Sequence, residues 1–271
     1  MTLTPLTSRR FTCSAALLAL CSFEARAEAE NQEATPEESP WRVFLGAGVL
    51  SMPEFEGSDD QQTRVLPIIN VRYKRFFLGG APGIQGGLGF YLFENDNWDL
   101  GAVVSPDVIG PREESDDARL RGLGDIEATT RAGVFGSYTA DWLSLNASVL
   151  TDVGDNGQGT QVNLGATATY KVTPRFHLTA SPEITWANDE YMQIFFGVNE
   201  QQAINSGYAP YEVDAGTSQM RLSLGTRYIL TPRWGLGASI TTTYLPDDAE
   251  DSPAVFEQNQ YSYGLFVTYR F

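Results

Sequence analysis

From Trp41 to the end of the chain, apolar and polar positions alternate in segment after segment. In 161–172, Val162, Leu164, Ala166, Ala168, Tyr170 and Val172 share one face, and Gln161, Asn163, Gly165, Thr167, Thr169 and Lys171 share the other. The next segment sets Phe176, Leu178, Ala180, Pro182, Ile184 and Trp186 against His177, Thr179, Ser181, Glu183 and Thr185. The last alternates from Tyr261 to a terminal Phe271. Successive side chains of a strand leave opposite faces of a sheet, so period two predicts strands. The apolar faces run about ten residues, the length of a tilted membrane strand, and the opposite faces are small and polar. The expected fold is therefore all-β: a closed antiparallel up-and-down transmembrane β-barrel.

Segments beginning near Trp41, Thr63, Phe76, Ile84, Trp98, Asp125, Trp142, Thr160, Arg175, Ser218, Arg233 and Gln260 predict about twelve strands. The glycine-rich pair 76–80 and 84–93 is the weakest, and without it the count is about ten. Short joins stand at 73–75, 94–97, 139–141, 173–175 and 231–233, and most of the joins between them are long: 51–62, 108–124, 189–217 and 246–259. Outer-membrane barrels place short turns in the periplasm and long loops outside. Trp41, Phe76, Trp98, Trp142, Phe176 and Trp234 all stand near the short-turn end, the position of an interfacial aromatic girdle. Closure predicts that the last strand pairs with the Trp41 strand, with Phe271 level with that girdle. A partial repeat, Y-K-V-T-P-R-F at 170–176 and Y-I-L-T-P-R-W at 228–234, reads as shared turn chemistry, with proline fixing φ.

The amino terminus assigns the compartment. Arg9 and Arg10 precede an apolar run from Phe11 to Leu20, and Ala25-Arg26-Ala27 is a small-x-small cleavage site. Residues 1–27 are thus expected to be a signal peptide cleaved near Ala27, too short to span as a helix. Both cysteines, Cys13 and Cys21, leave with it, which excludes a disulfide framework or a thiolate metal site. The remaining 15 basic and 33 acidic residues give a net charge of −18, unsuited to nucleic acid. Residues 28–40 are acidic and proline-bearing, an expected disordered periplasmic lead-in to a barrel over 41–271. The expected location is the outer membrane, among its lipid and lipopolysaccharide.

No catalytic, cofactor-binding or metal-ligating residue is assigned. His177, the single histidine, falls beside a short turn on the inward face, where it suits a lumen hydrogen bond better than acid–base work. Acidic loop groups at 54–60, 113–117 and 247–251 read as solvated faces rather than cation sites, and 152–159 lacks calcium-loop spacing. Inward positions set Arg42, Arg64, Arg72, Arg131, Arg221 and Arg227 against Asp99, Asp125, Glu127 and Glu183. Buried charges pair, so the expected interior is bridged, with a narrow pore as the alternative.

Four loop motifs carry a family resemblance. They are P-E-F-E-G-S at 53–58, G-L-G-D at 122–125, F-F-G-V at 195–198 with Ala203 and Ser206-Gly207, and D-A-E-D-S-P at 248–253. The sequence resembles the MipA/OmpV family of outer-membrane barrels, with Phe195 where tyrosine is usual. The resemblance implies a non-enzymatic scaffold linking a periplasmic murein transglycosylase to a murein polymerase. A small solute channel and a surface adhesin built on the long loops are the alternatives. No binding residue transfers with these motifs.

Overall fold

The computed structural model describes residues 39–107 and 111–271. The expected signal peptide, and the lead-in up to residue 38, lie outside the described residues. Twelve antiparallel strands close into one barrel in sequence order. They are β1 (Trp41–Pro53), β2 (Gln61–Tyr73), β3 (Phe76–Leu78), β4 (Leu88–Glu94), β5 (Trp98–Pro106) and β6 (Thr130–Ala140), then β7 (Leu143–Asp152), β8 (Thr160–Thr173), β9 (Phe176–Ala187), β10 (Gly216–Ile229), β11 (Trp234–Tyr244) and β12 (Asn259–Arg270). β12 seals against β1 with Tyr269 opposite Leu45 and Tyr263 opposite Ser51, as closure requires.

Alternation sorts the side chains as the sequence predicts. Leu45, Val49, Val65, Leu145, Leu164, Leu222 and Leu265 are exposed on the outside. Inward positions carry glycine, serine, threonine and asparagine on β7 to β11, and larger apolar groups on β1 to β6. Leu50, Met52, Leu66 and Ile68 form one inner cluster, and Phe77, Ala81, Ile84, Tyr91, Val103 and Phe135 another. No described helix is long and apolar enough to cross a membrane, so any crossing is made by strands.

At the short-turn end, aromatic rings pair across neighbouring strands. Trp41 meets Tyr73 at 4.5 Å, Trp98 meets Tyr138 at 4.8 Å and Trp234 meets Tyr269 at 4.9 Å between centroids. Phe271 packs on Tyr269 at 4.8 Å, level with that girdle. The repeated turns share one device. Thr173 Oγ1 accepts from the N–H of Arg175 (3.2 Å) and Phe176 (3.0 Å), and Thr231 Oγ1 does the same for Arg233 (3.2 Å) and Trp234 (3.0 Å).

Two starts differ from expectation. The β4 strand begins at Leu88 rather than Ile84, and β6 at Thr130 rather than Asp125. In the first case 79–87 turns into the lumen. Ala81 and Ile84 exchange two backbone hydrogen bonds (3.0 and 2.8 Å) around Pro82 and Gly83, whose φ of +71° completes a type II turn. The tip reaches β7, where Ser148 Oγ donates to the Gly83 carbonyl at 3.2 Å. In the second case Leu123 and Ile126 are drawn into the loop core, so the backbone joins the ladder only afterwards. Asp125 and Glu127 are consequently loop residues, not inward strand charges.

Candidate functional site

The long loops pack into a cap over one end of the barrel. The β9–β10 connection folds as two helices, α1 (Asp189–Phe196) and α2 (Glu200–Ser206), which sequence reading treats only as a long loop. Their starts are nonetheless written in the chain. Asn188 Oδ1 accepts from the Tyr191 N–H, and Asn199 with Gln202 forms a reciprocal capping box. The buried α1 face, Tyr191, Met192, Phe195 and Phe196, packs with Ile126, Val213, Leu245 and Ala249. A second cluster joins Phe55, Leu120, Leu123, Val198 and Ala254.

All four loop motifs meet in these two clusters. Ser252 Oγ donates to the Phe196 carbonyl at 2.6 Å, Arg112 Nη1 to the Phe195 carbonyl at 3.1 Å, and the Phe256 N–H to the Gly57 carbonyl at 2.7 Å. The motifs therefore bind the loops to one another.

Beneath the cap lies a charged layer. Glu56 comes within 3.5 Å of the Tyr191 hydroxyl, while its Oε1 is buried without a hydrogen-bond partner. Burial pushes its carboxyl up to about 7, with Arg221, Tyr191, Arg131 and Arg112 opposing the rise. Burial likewise lowers the Arg112 guanidinium to about 10. Arg131 bonds Asp107 at 2.5 Å and Gln158 at 2.6 Å, and Arg221 bonds Glu183 at 3.1 Å. The expected pairing is thus present for Arg221 and Glu183. Arg72 takes Glu94 at 2.5 Å, and Arg131 takes Asp107; neither partner belongs to the expected set. Asp125 instead accepts from the Glu114 N–H at 2.7 Å in the cap.

Below this layer is a lumen cavity of about 1950 Å³. It reaches from the Pro82-Gly83 turn and the Glu183–Arg221 pair down to the short turns at 94–97 and 139–142, where it opens. Its inward lining mixes Asn146, Thr167, Ser181, Ser223 and Ser239 with charged groups at the mouth. His177 sits in the wall near that mouth, 6% exposed, paired in register with Arg227 and Lys171. No described serine, cysteine or carboxylate is bonded to it in the manner of a nucleophile–base pair.

The acidic loops are internally tied. Asp59, Asp60 and Asp117 bring carboxylate oxygens within 4.8 Å of one another, and Arg119 bridges Asp59 and Asp117 at 2.5 Å each. Asp152 staples its own loop, accepting from the N–H groups of Gly154 (2.8 Å), Asn156 (3.1 Å) and Gln158 (2.8 Å). Those hydrogen bonds hold that loop in its shape.

Over 232 residues the chain is 25% identical to "Putative outer membrane protein YiaT" of Escherichia coli K12, covering 84% of this chain and 91% of that one. Among solved structures it resembles the NanC porin, with a TM-score of 0.46 and 10% identity over 84% of this chain and all of that one. It also resembles a bacterial polysaccharide outer membrane secretin, with a TM-score of 0.48 and 12% identity over 84% and 98%. The family model described as MltA-interacting protein MipA matches residues 45–271, the whole of the barrel but its first four residues, and the chain belongs to that family of outer-membrane barrels.

Proposed function

We propose that this protein is a non-enzymatic outer-membrane scaffold that gathers murein-synthesising and murein-hydrolysing enzymes at its periplasmic face. The observation carrying the reading is the sealed loop end. Two apolar clusters and a layer of paired charges close the barrel on the long-loop side, leaving the short-turn end as its open, sharply structured surface. Outer-membrane barrels as a class turn their short connections to the periplasm, which supports placing that end there. The family's description, an interactor of MltA, names the kind of partner. The acidic stretch 28–40 and the Thr-Pro-Arg turns at 173–175 and 231–233 are the surfaces such enzymes would grip.

The test is co-purification of a lytic murein transglycosylase and a murein polymerase with the folded protein in detergent. Retention is expected to fall when 28–40 is deleted and both turns are altered. Unchanged retention would overturn the gripping surface, and no retention by the intact protein would overturn the scaffold. A second reading, a gated small-solute channel, is favoured by the 1950 Å³ cavity. Planar-bilayer recordings with no conductance, including after the cap loops are shortened, would remove it.

A further inference from the structure

One corner of the short-turn end differs from the rest. Register carries an aromatic ring straight across four neighbouring strands: Trp41 of β1 stands opposite Tyr73 of β2, Tyr73 opposite Phe76 of β3, and Phe76 opposite Phe90 of β4. Centroids of Trp41 and Tyr73 lie 4.5 Å apart, and those of Phe76 and Phe90 5.0 Å apart. The row faces outward: Trp41 is 53% and Phe76 56% exposed, with exposed Leu78, Leu92 and Phe93 beside them. Just beyond the row, the β2–β3 turn carries Lys74 and Arg75. The other short turns carry one cation at most, and those at 94–97 and 139–141 carry carboxylates instead. Both Lys74 and Arg75 are exposed and lean on the outer wall. Lys74 has a φ of +52°, and its Nζ lies 5.4 Å from the centroid of the outward Tyr73 ring. Arg75 Nη1 donates to the Leu92 carbonyl at 3.4 Å, which leaves most of the guanidinium donors unused. Among the described residues neither cation is in an ion pair, and Glu94 on the neighbouring β4 is taken by Arg72 at 2.5 Å.

We propose that this corner binds an anionic glycerophospholipid of the periplasmic leaflet, with its phosphate on Lys74 and Arg75 and its acyl chains along the aromatic row. Amphipathic rings settle at the headgroup level of a bilayer, so the row marks the boundary between chains and headgroups. Lys74 follows Tyr73 directly, about 3 Å further toward the periplasm, where the phosphates lie. An ammonium and a guanidinium fork both donate charge-assisted hydrogen bonds to phosphate oxygens, the fork in bidentate geometry. A zwitterionic headgroup brings its own ammonium against the pair, so a lipid of net negative charge is preferred. Each cation at a membrane surface favours anionic lipid roughly fivefold, and two together on the order of thirtyfold. The competing anion is the chain's own acidic lead-in. Lys74 N–H donates to the Pro40 carbonyl at 3.2 Å, so the stretch 28–38 joins the barrel beside this turn. The outward direction of the Tyr73 ring under Lys74 favours the bilayer instead. The site stands apart from the scaffold reading, since it faces lipid and uses neither Thr-Pro-Arg turn.

The experiment offers the folded protein, in a neutral detergent, equimolar phosphatidylglycerol and phosphatidylcholine with identical acyl chains, and counts retained lipid by native mass spectrometry. The first lipid retained is expected to be phosphatidylglycerol by about tenfold or more. Lys74→Gln/Arg75→Gln should lower that ratio at least about tenfold, and Lys74→Gln alone about fivefold. Arg121→Gln removes an exposed cation at the loop end and should leave the ratio unchanged. Glycerol phosphate, the headgroup without its chains, should not be retained, which separates a lipid site from a free-phosphate site. Deleting 28–38 should also leave the ratio unchanged. Heat-modifiable gel mobility verifies that each variant is folded, and the Lys74→Gln arm serves alone if the double variant does not fold. A smaller preference in the native protein would overturn the proposal, as would a native ratio in the folded turn variants. So would retention of glycerol phosphate by itself, or a rise in the ratio on deleting 28–38, which would give the turn to the lead-in.

Discussion

Glu56 gives the cap a pH-dependent lock. Its carboxyl stands at about 7 in the closed cap, against 4.5 when exposed, because burial disfavours the charged form more than the nearby arginines restore it. The folded value is raised, so closure binds a proton. The resulting stability is fully present below about pH 4.5 and disappears as pH rises through about 7. Each tenfold change in acidity corresponds to about 1.4 kcal/mol, so the full window is worth about 3 kcal/mol, or roughly a 300-fold change in the equilibrium for opening the loops. Glu54 and Asp116 are raised for the same reason and add to the trend, whereas Asp59 and Asp117, held down by Arg119, oppose it. Glu56→Gln isolates the main contribution by keeping the shape and removing the charge.

Hydrogen exchange in detergent, corrected for the intrinsic pH dependence of exchange, reads this directly. Amides of 54–60 and of α1, which supplies Tyr191, should lose protection steadily between about pH 4.5 and 7 in the native protein. Glu56→Gln should flatten that slope and leave the cap tighter at neutral pH. Strand amides of 143–147 in β7 and 166–172 in β8 serve as the internal reference, since they lie toward the short-turn end, away from the cap. A native cap whose protection is level across this window would refute the reasoning. So would a Glu56→Gln variant that retains the native slope.

Ser252→Ala removes both the 2.6 Å bond to the Phe196 carbonyl and the 3.1 Å bond from the Ala254 N–H, and should destabilise the cap by about 1–3 kcal/mol, seen as faster exchange at the α1 carboxyl end. Gly133→Ala would drive a methyl group into the Val149 carbonyl oxygen between β6 and β7, so heat-modifiable mobility should be lost at a clearly lower temperature. Val65→Arg puts a charge on the outward face of β2, where Val65 is 73% exposed, and should cost about 2–4 kcal/mol in folding into bilayers. Thr173→Ala and Thr231→Ala each delete a turn acceptor, and their roughly 1 kcal/mol penalties should add in unfolding titrations because the two turns are separate hairpins.

The barrel was legible because alternation is a local property: each strand announces its two faces whatever its neighbours do. The cap was legible only in part. Asn188-Asp189-Glu190-Tyr191 and Asn199-Glu200-Gln201-Gln202 are helix starts, yet α1 and α2 have eight and seven residues, too few for periodicity to separate them from loop. What places them is contact between segments far apart in the chain, such as Ser252 with Phe196 and Arg112 with Phe195. The same holds for charge. Inward Arg72 and Arg131 could be read from strand parity, but their carboxylate partners, Glu94 and Asp107, stand at the end of β4 and just past the end of β5, where register alone cannot choose them.

The uncertain strand pair shows how a sequence can carry a signal that points two ways. β3 and β4 are real strands, which makes the count twelve, but β3 has three residues against thirteen in β2. Only Val71, Arg72 and Tyr73 of β2 find partners in β3; beyond them the chain leaves the wall at Gly79 and Gly80 to place the Pro82-Gly83 turn in the lumen. The upper part of β2 therefore has an edge that β3 does not cover, and Pro67 marks it. The Ile69 carbonyl faces Gly79, and residues two apart in a strand point their peptide groups the same way, so the N–H that Pro67 lacks would have faced that edge. A proline inside a strand belongs at an edge or a break in the ladder. Pro182 obeys the same rule, since the β8–β9 pairing skips the two positions at and beside it. Pro67 thus signals, within the sequence itself, that β2 and its next neighbour part company halfway up. The residues released by that parting are the ones that narrow the lumen.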